Sequence, residues 1–236
     1  MGADSPDSTA AVARSADPGI VLISDPRIRC IEVRECGEPL VDLRGALRVA
    51  ARRADPEGDF AHARESVRDR LIAADRALPR DISLLIIEAY RPRHLQLEIF
   101  NAYRAELLRA TPGLTQAEAD TLASRYVSPI EVAPHVGGAA VDLTLVDADG
   151  DELDFGCPEA ATPEESDGAC YTDAPGLSAR ARENRAMLGE ALTSAGMVNY
   201  PTEWWHWSYG DRYWAFLSGA KHALYDALRN DSEKLA

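Results

Sequence analysis

Two short stretches of this chain hold residue types that do chemistry together. Residues 134–142 read PHVGGAAVD and set an imidazole, His135, and a carboxylate, Asp142, seven positions apart. Residues 203–206 read EWWH, with Glu203 and His206 three apart in a region that holds all four tryptophans of the chain, Trp204, Trp205, Trp207 and Trp214. Zinc binds neutral imidazole nitrogens and carboxylate oxygens, usually four ligands in all, and a catalytic zinc leaves one position to water. His135, Asp142 and His206 would supply three ligands to a single Zn2+ per chain. Glu203 is then the natural general base, close to the attacking water yet not bonded to the metal. Three positions along an ideal strand face opposite sides, so Glu203 and His206 converge only if the chain bends between them.

A third stretch, Glu88-Ala89-Tyr90-Arg91-Pro92, adds a guanidinium. Proline disfavours α conformation at the residue before it, which puts Arg91 at a strand's exit. There it can stabilise a carbonyl oxygen as it becomes an oxyanion, or grip a substrate carboxylate through two parallel hydrogen bonds. Trp204, Trp205 and Trp207 with Tyr209 would wall and dry the site. Each of these residues taken singly has a plainer reading: His135 as a turn histidine, Asp142 as a solvated strand residue, Arg91 as a surface ion pair, the tryptophans as sheet packing. His62, His94 and His222 lack carboxylate partners at ligand spacing; only His94, near Arg91, is placed to line a pocket.

The elements that must position these groups follow from hydrophobic periodicity. Residues 1–18 are rich in Ser, Asp, Pro and Ala without apolar period, and read as a disordered arm ahead of a single domain over 19–236. The text IVLISDPRIRCIEVREC from Ile20 reads as short strands broken at Asp25-Pro26. Phe60, Ala63, Val67, Leu71, Ala74 and Leu78 predict a helix over 59–78, ended by Pro79. Ile82–Ile87, ISLLII, is a central strand buried on both faces. A helix over 94–108 follows, with Leu97, Phe100, Tyr103 and Leu107 inward, and then one opened by the capping box Thr115-x-x-Glu118. Residues 139–150, AAVDLTLVDADG, predict a strand whose alternation sends Asp142 to the face away from the core. The aperiodic stretch 151–176 is long enough to be a lid or a disordered cover. A helix from about Ser178 to Ser194, strand-like aromatic text, and a partly helical tail complete the chain.

Composition bounds the partners. The 236 residues carry a formal net charge of −14, which argues against nucleic acid or an anionic membrane as partner. The hydrophobic fraction of 46% fits an ordinary globular protein. Neither a membrane-length apolar run nor a signal-peptide pattern is present, so the expected location is cytoplasmic. Cys30, Cys36, Cys157 and Cys170 do not form CxxC pairs and are expected as thiols in that compartment. Oligomeric state leaves no mark in a single chain.

These motifs resemble those of the zinc D-alanyl-D-alanine dipeptidases, metallopeptidases related to the D,D-carboxypeptidases of the hedgehog-like zinc fold. The resemblance rests on EAYRP at Glu88–Pro92, His135-x-x-Gly138-x-Ala140-x-Asp142, ELDFG at Glu152–Gly156, ENRAMLGEALTSAGMVNY, and EWWHWSYGDRYW from Glu203, and covers roughly residues 20 to 215. It implies an α+β fold with a central, mostly antiparallel sheet flanked by helices. It implies His135, Asp142 and His206 as zinc ligands, Glu203 as base and proton shuttle, and Arg91 as transition-state stabiliser. Trp204, Trp205, Tyr90 and Ala133 are the expected substrate contacts. Ala133 stands where the family often has a substrate-holding serine, and the loop around Cys157–Tyr171 also departs from the family pattern. The expected reaction is hydrolysis of a small dipeptide such as D-alanyl-D-alanine. The alternatives are a zinc carboxypeptidase or amidase acting on another D-amino-acid-containing or biosynthetic peptide, and a non-catalytic zinc- or partner-binding domain.

Overall fold

The structure is a computed structural model and describes residues 19–228; the arm expected over 1–18 lies outside the described residues. Among the described residues six helices, α1 (Pro26–Arg29), α2 (Glu65–Ala77), α3 (Arg93–Ala110), α4 (Gln116–Ala123), α5 (Ala179–Ser194) and α6 (Arg212–Ser218), surround the sheets. Strands β1 (Leu40–Asp42) and β3 (His62–Arg64) form an antiparallel pair. The main sheet holds β2 (Arg48–Val49), β4 (Ser83–Glu88), β5 (Ala140–Val146), β6 (Val198–Asn199) and β7 (His206–Ser208) in the order β2-β4-β5-β7-β6. Only β2 and β4 run parallel; the other neighbours are antiparallel. The fold is therefore α+β around a mostly antiparallel sheet, as expected.

Alternation along β5 and β7 divides the sheet into two faces. Val141, Leu143, Leu145 and Trp207 enter the main core with Val67, Leu71 and Ala74 of α2 and Leu188, Ala191 and Leu192 of α5. Asp142, Thr144, His206 and Ser208 take the other face. That face was expected to be open, yet all seven residues of β5 are buried. The helical pair α3 and α4, packed through Phe100, Tyr103, Leu107 and Ala123, lies on this second side. Asp142 thus lies at the bottom of a cleft instead of on a solvated surface.

Three other expectations change. The text after Ile20 forms the short helix α1, because Asp25 caps it and accepts the Arg27 amide while Pro26 takes the first helical position. The helix expected from Asp59 starts at Glu65: residues 62–64 pair with β1, and the Glu38 carboxylate accepts the Ser66 amide at the helix start. On α3 the buried stripe is Gln96, Phe100, Tyr103 and Leu107, whereas Leu97 is 38% exposed. Hydropathy picks Leu97 over Gln96, but a buried glutamine with both ends hydrogen-bonded fits the inward position. The capping box at Thr115 and Glu118 forms in full. Among the described residues no helix is long and apolar enough to cross a membrane.

Candidate metal centre and active site

Backbone geometry builds the cluster. Pro134 leads into a single 3-10 turn, His135–Gly137, which closes at Gly138 in the left-handed region (φ 66°) and feeds β5. The glycines serve close backbone approach, though not beneath a ligand. A Cβ on Gly138 would lie 2.2 Å from Leu40 Cδ2, and one on Gly137 would lie 2.9 Å from the Asp226 carbonyl oxygen. Arg64 donates its Nε to the Gly137 carbonyl and its amide to the Gly138 carbonyl, locking the turn to β3. The Arg91 amide donates to the His135 carbonyl, so the Tyr90-Arg91-Pro92 segment is laced to the same turn.

Across the sheet, Glu88 of β4, Asp142 of β5 and His206 of β7 are successive register partners, with an irregularity in β4 between Ile86 and Glu88. The bend demanded between Glu203 and His206 is a turn: the His206 amide donates to the Glu203 carbonyl at 3.2 Å before β7 begins. Asn199 donates its side-chain amide to the carbonyls of both Glu203 and His206, holding that turn against β6.

His135 Nε2 lies 3.1 Å from His206 Nδ1 and 3.4 Å from Asp142 Oδ1, and His206 Nδ1 lies 3.0 Å from the same oxygen. These donor atoms are mutually within 4.8 Å and all three residues are buried. His135 Nδ1 lies 2.6 Å from the Ala89 carbonyl, which can only accept, so Nδ1 carries the hydrogen and Nε2 presents its lone pair to the cluster. Three electron-rich atoms at this spacing match the edge of a tetrahedron, ~3.4 Å for zinc bonds of ~2.0–2.1 Å. Burial would push the Asp142 carboxyl up, but the two imidazoles hold it well below the usual carboxylate range. Burial holds His206 below its ordinary value, which keeps the imidazole neutral and fit to ligate.

Arg91 lies beside the cluster, its Nη2 3.8 Å from Asp142 Oδ2. Glu88 accepts from its Nε at 2.9 Å and Nη2 at 2.5 Å, and Gln96 accepts from Nη1 at 2.9 Å. Burial opposes the charge on Glu88, yet Arg91 keeps that carboxyl below its ordinary value. Glu203 is pushed strongly upward, first by burial and then by Asp142, with Arg91 opposing. A buried carboxyl of raised proton affinity is what a proton acceptor requires.

These groups open on a cavity of about 320 Å³, at the small end of ligand sites. Arg91, His135, Asp142, Glu203, Trp205 and His206 line it. Trp204, Tyr90, Ala133 and His94 do not. Trp204 stacks on Phe155 with ring centroids 4.0 Å apart, Tyr90 packs with Leu40 and Leu228, and His94 is exposed. Ala133 is buried and borders a separate cleft with Asp211 and Tyr225. Trp207 faces the core by the alternation of β7, and Tyr209 lies under Arg70.

The lining also includes Glu88 of β4, Leu95, Gln96 and Ile99 of α3, Tyr126 and Val127 beyond α4, and Glu159 and Ala160, with Arg53. Glu88, Gln96, Arg53, Glu159 and Tyr126 were missed in sequence. Gln96 had a signal, as the polar member of an apolar stripe; Glu159 pairs with Arg53 across 106 positions and had none. The stretch 151–176 is tied down at several points. Arg185 donates to the carbonyls of Phe155, Ala169, Tyr171 and Thr172, Tyr126 donates to that of Ala160, and Glu164 accepts from Tyr103 and Arg125. Ala160 has a positive φ of 61°, a strained backbone beside the cavity.

The chain is similar to known proteins over most of its length. The family model for peptidase M15, described as D-ala-D-ala dipeptidase, matches residues 49–223. A D-alanyl-D-alanine dipeptidase of Synechocystis is 30% identical over 224 residues, 81% of this chain and 90% of that protein. One from Escherichia coli is 34% identical over 131 residues, 55% of this chain and 61% of its own length. Among solved structures, the vancomycin resistance D,D-pentapeptidase VanY in complex with Zn(II) overlaps 69% of this chain and 82% of its own (19% identity, TM-score 0.38). VanYB in complex with D-alanine-D-alanine overlaps 71% and 86% (20% identity, TM-score 0.40). By the extent of the family match and of the Synechocystis relative, this chain belongs to the peptidase M15 family of D-Ala-D-Ala dipeptidases.

Proposed function

We propose that this protein is a zinc-dependent dipeptidase acting on D-alanyl-D-alanine or a dipeptide of similar size. The observation that carries the reading is the convergence of His135 Nε2, Asp142 Oδ1 and His206 Nδ1 at the spacing of a tetrahedral metal site, in a small cavity shared with Glu203 and Arg91. His135, Asp142 and His206 would hold the metal. The chemistry a bound zinc supplies there is Lewis acidity toward oxygen, which eases proton loss from water and polarises a carbonyl.

The remaining roles fall to the chain itself. Glu203 accepts the proton of the attacking water, a task suited to its raised proton affinity, and returns it to the departing amine nitrogen. Arg91 turns the N–H groups left over from Glu88 and Gln96 toward the carbonyl oxygen as negative charge develops on it. Trp205, Leu95 and Ile99 exclude water, which strengthens each of these interactions. Ala133 stands outside the cavity wall, so substrate specificity falls to the residues that line it. On this reading the substrate is a wall-related dipeptide met in the cytoplasm, where cell fractionation should find the protein.

The test is kcat/KM with zinc supplied, across LL, DL, LD and DD alanyl dipeptides and a tripeptide ending in D-Ala-D-Ala. Preference for the DD dipeptide supports the reading. Preference for the tripeptide favours a carboxypeptidase, and bound zinc without hydrolysis favours a non-catalytic domain.

A further inference from the structure

We infer that Gln96 is a positioning residue for Arg91, holding its guanidinium off Asp142 with a neutral acceptor. The inference rests on the reading in which Arg91 faces the developing oxyanion.

Gln96 is 1% exposed and begins the inward stripe of α3. Its side-chain nitrogen donates to the Ser128 carbonyl at 2.7 Å and its side-chain oxygen accepts from Arg91 Nη1 at 2.9 Å. A carbonyl only accepts, so Ser128 fixes which way the amide points. Glu88 holds the opposite edge of the fork, at Nε and Nη2. Three of the five guanidinium N–H groups are thereby engaged from two sides, and one on each Nη remains.

Asp142 is the competing partner. Its Oδ2 lies 3.8 Å from Arg91 Nη2, beyond hydrogen-bond distance. With Nη1 unmet in a buried site, the fork gains by swinging toward a second carboxylate, and closing on Asp142 would take it from the substrate. Gln96 removes that incentive. Its neutrality matters as much as its reach: Glu88 already offsets one charge, and another carboxylate at 96 would further weaken the field available to an oxyanion. The same residue ties Arg91 to the segment leading from Ser128 to His135.

The test uses the zinc-loaded enzyme with Gln96→Met, similar in shape without an acceptor, and Gln96→Glu, an acceptor bearing charge. Each is made alone and with Arg91→Met. Both single variants should lower kcat for D-Ala-D-Ala by about 10–100-fold, with KM little changed and zinc content intact. In the Arg91→Met background the same changes should cost about twofold at most, because the residue they act through is gone. Equal losses in both backgrounds, or a kcat unmoved by Gln96→Met, overturn the proposal.

A readout independent of turnover is nitrogen NMR of the arginine side chains. Arg91 should give separate Nη signals in the parent protein that average in Gln96→Met, and unchanged signals overturn the inference. If the parent hydrolyses no dipeptide, the dipeptidase reading fails while the Nη signals still decide the role of Gln96.

Discussion

Asp142 and His206 are directly opposed across the β5–β7 ladder, and Glu88 is the partner of Asp142 on the next strand. The cluster is a row across three hydrogen-bonded strands, completed by His135 from a turn tied to the sheet. Backbone pairing spaces the row, so removing one side chain should leave the others in register. His206→Ala is expected to fold, to lose zinc on dialysis and to lose activity, with elemental analysis of the dialysed protein as the measurement. Asp142→Asn, which keeps the shape and removes the charge, should weaken zinc without abolishing folding. Full zinc retention in both would remove these residues from the metal site.

Glu203→Gln separates metal binding from proton transfer. It should retain zinc at the level of the parent and lose about 10²–10⁴-fold in kcat, the range for removing a general acid–base group. The affected step is chemical, so KM should move far less. A variant that kept most of its rate would assign the proton to another group.

What the sequence made legible divides by range. Local signals were sound: the capping box at Thr115 and Glu118, the N-cap at Ser178, the stop at Pro79, and ISLLII as β4. The chemistry-bearing residues His135, Asp142, Glu203, His206 and Arg91 were named from type and spacing, and the structure brings them to one cavity. The lining was misread where a residue's face depended on partners far along the chain. Trp204 turns to the core because Phe155 offers a stacking face, and hydropathy points Leu97 inward where the structure buries Gln96. Segment 151–176 has no period because it is held by Arg185 and Tyr126 through backbone carbonyls, a bonding pattern that leaves no trace in side-chain hydropathy.

Gly138 tests the turn beneath His135. A β-carbon there meets both a left-handed φ and Leu40 Cδ2 at 2.2 Å. Gly138→Ala should destabilise by about 2–4 kcal/mol, summing the backbone preference and the overpacking. For a chain of this size that is a fall in Tm of roughly 5–15 °C by calorimetry. Gly113→Ala, also at positive φ but with nothing within 4 Å of the added carbon, bears only the backbone part and should fall by less.

Cys170 reports on the strapping of segment 151–176. All four cysteines are free; Cys30 and Cys36 are exposed, whereas Cys170 is buried and its thiol is pushed up to about 12 by burial. A raised thiol pKa favours the unreactive protonated form, so at pH 8 Cys170 stays a thiol. Iodoacetamide at pH 8 should label Cys30 and Cys36 promptly and leave Cys170 unmodified, with the site read by peptide mass spectrometry. Arg185→Met removes the donors to four carbonyls, two of them, Ala169 and Tyr171, on either side of Cys170. It should expose Cys170 to labelling and open residues 157–176 to limited proteolysis, while α3 and α4, tied through their own core, stay protected. Equal labelling of Cys170 and Cys30 in the parent would mean that the segment is not held as described. Unchanged protection in Arg185→Met would transfer the restraint to Glu164, which Tyr103 and Arg125 grip from α3 and the end of α4.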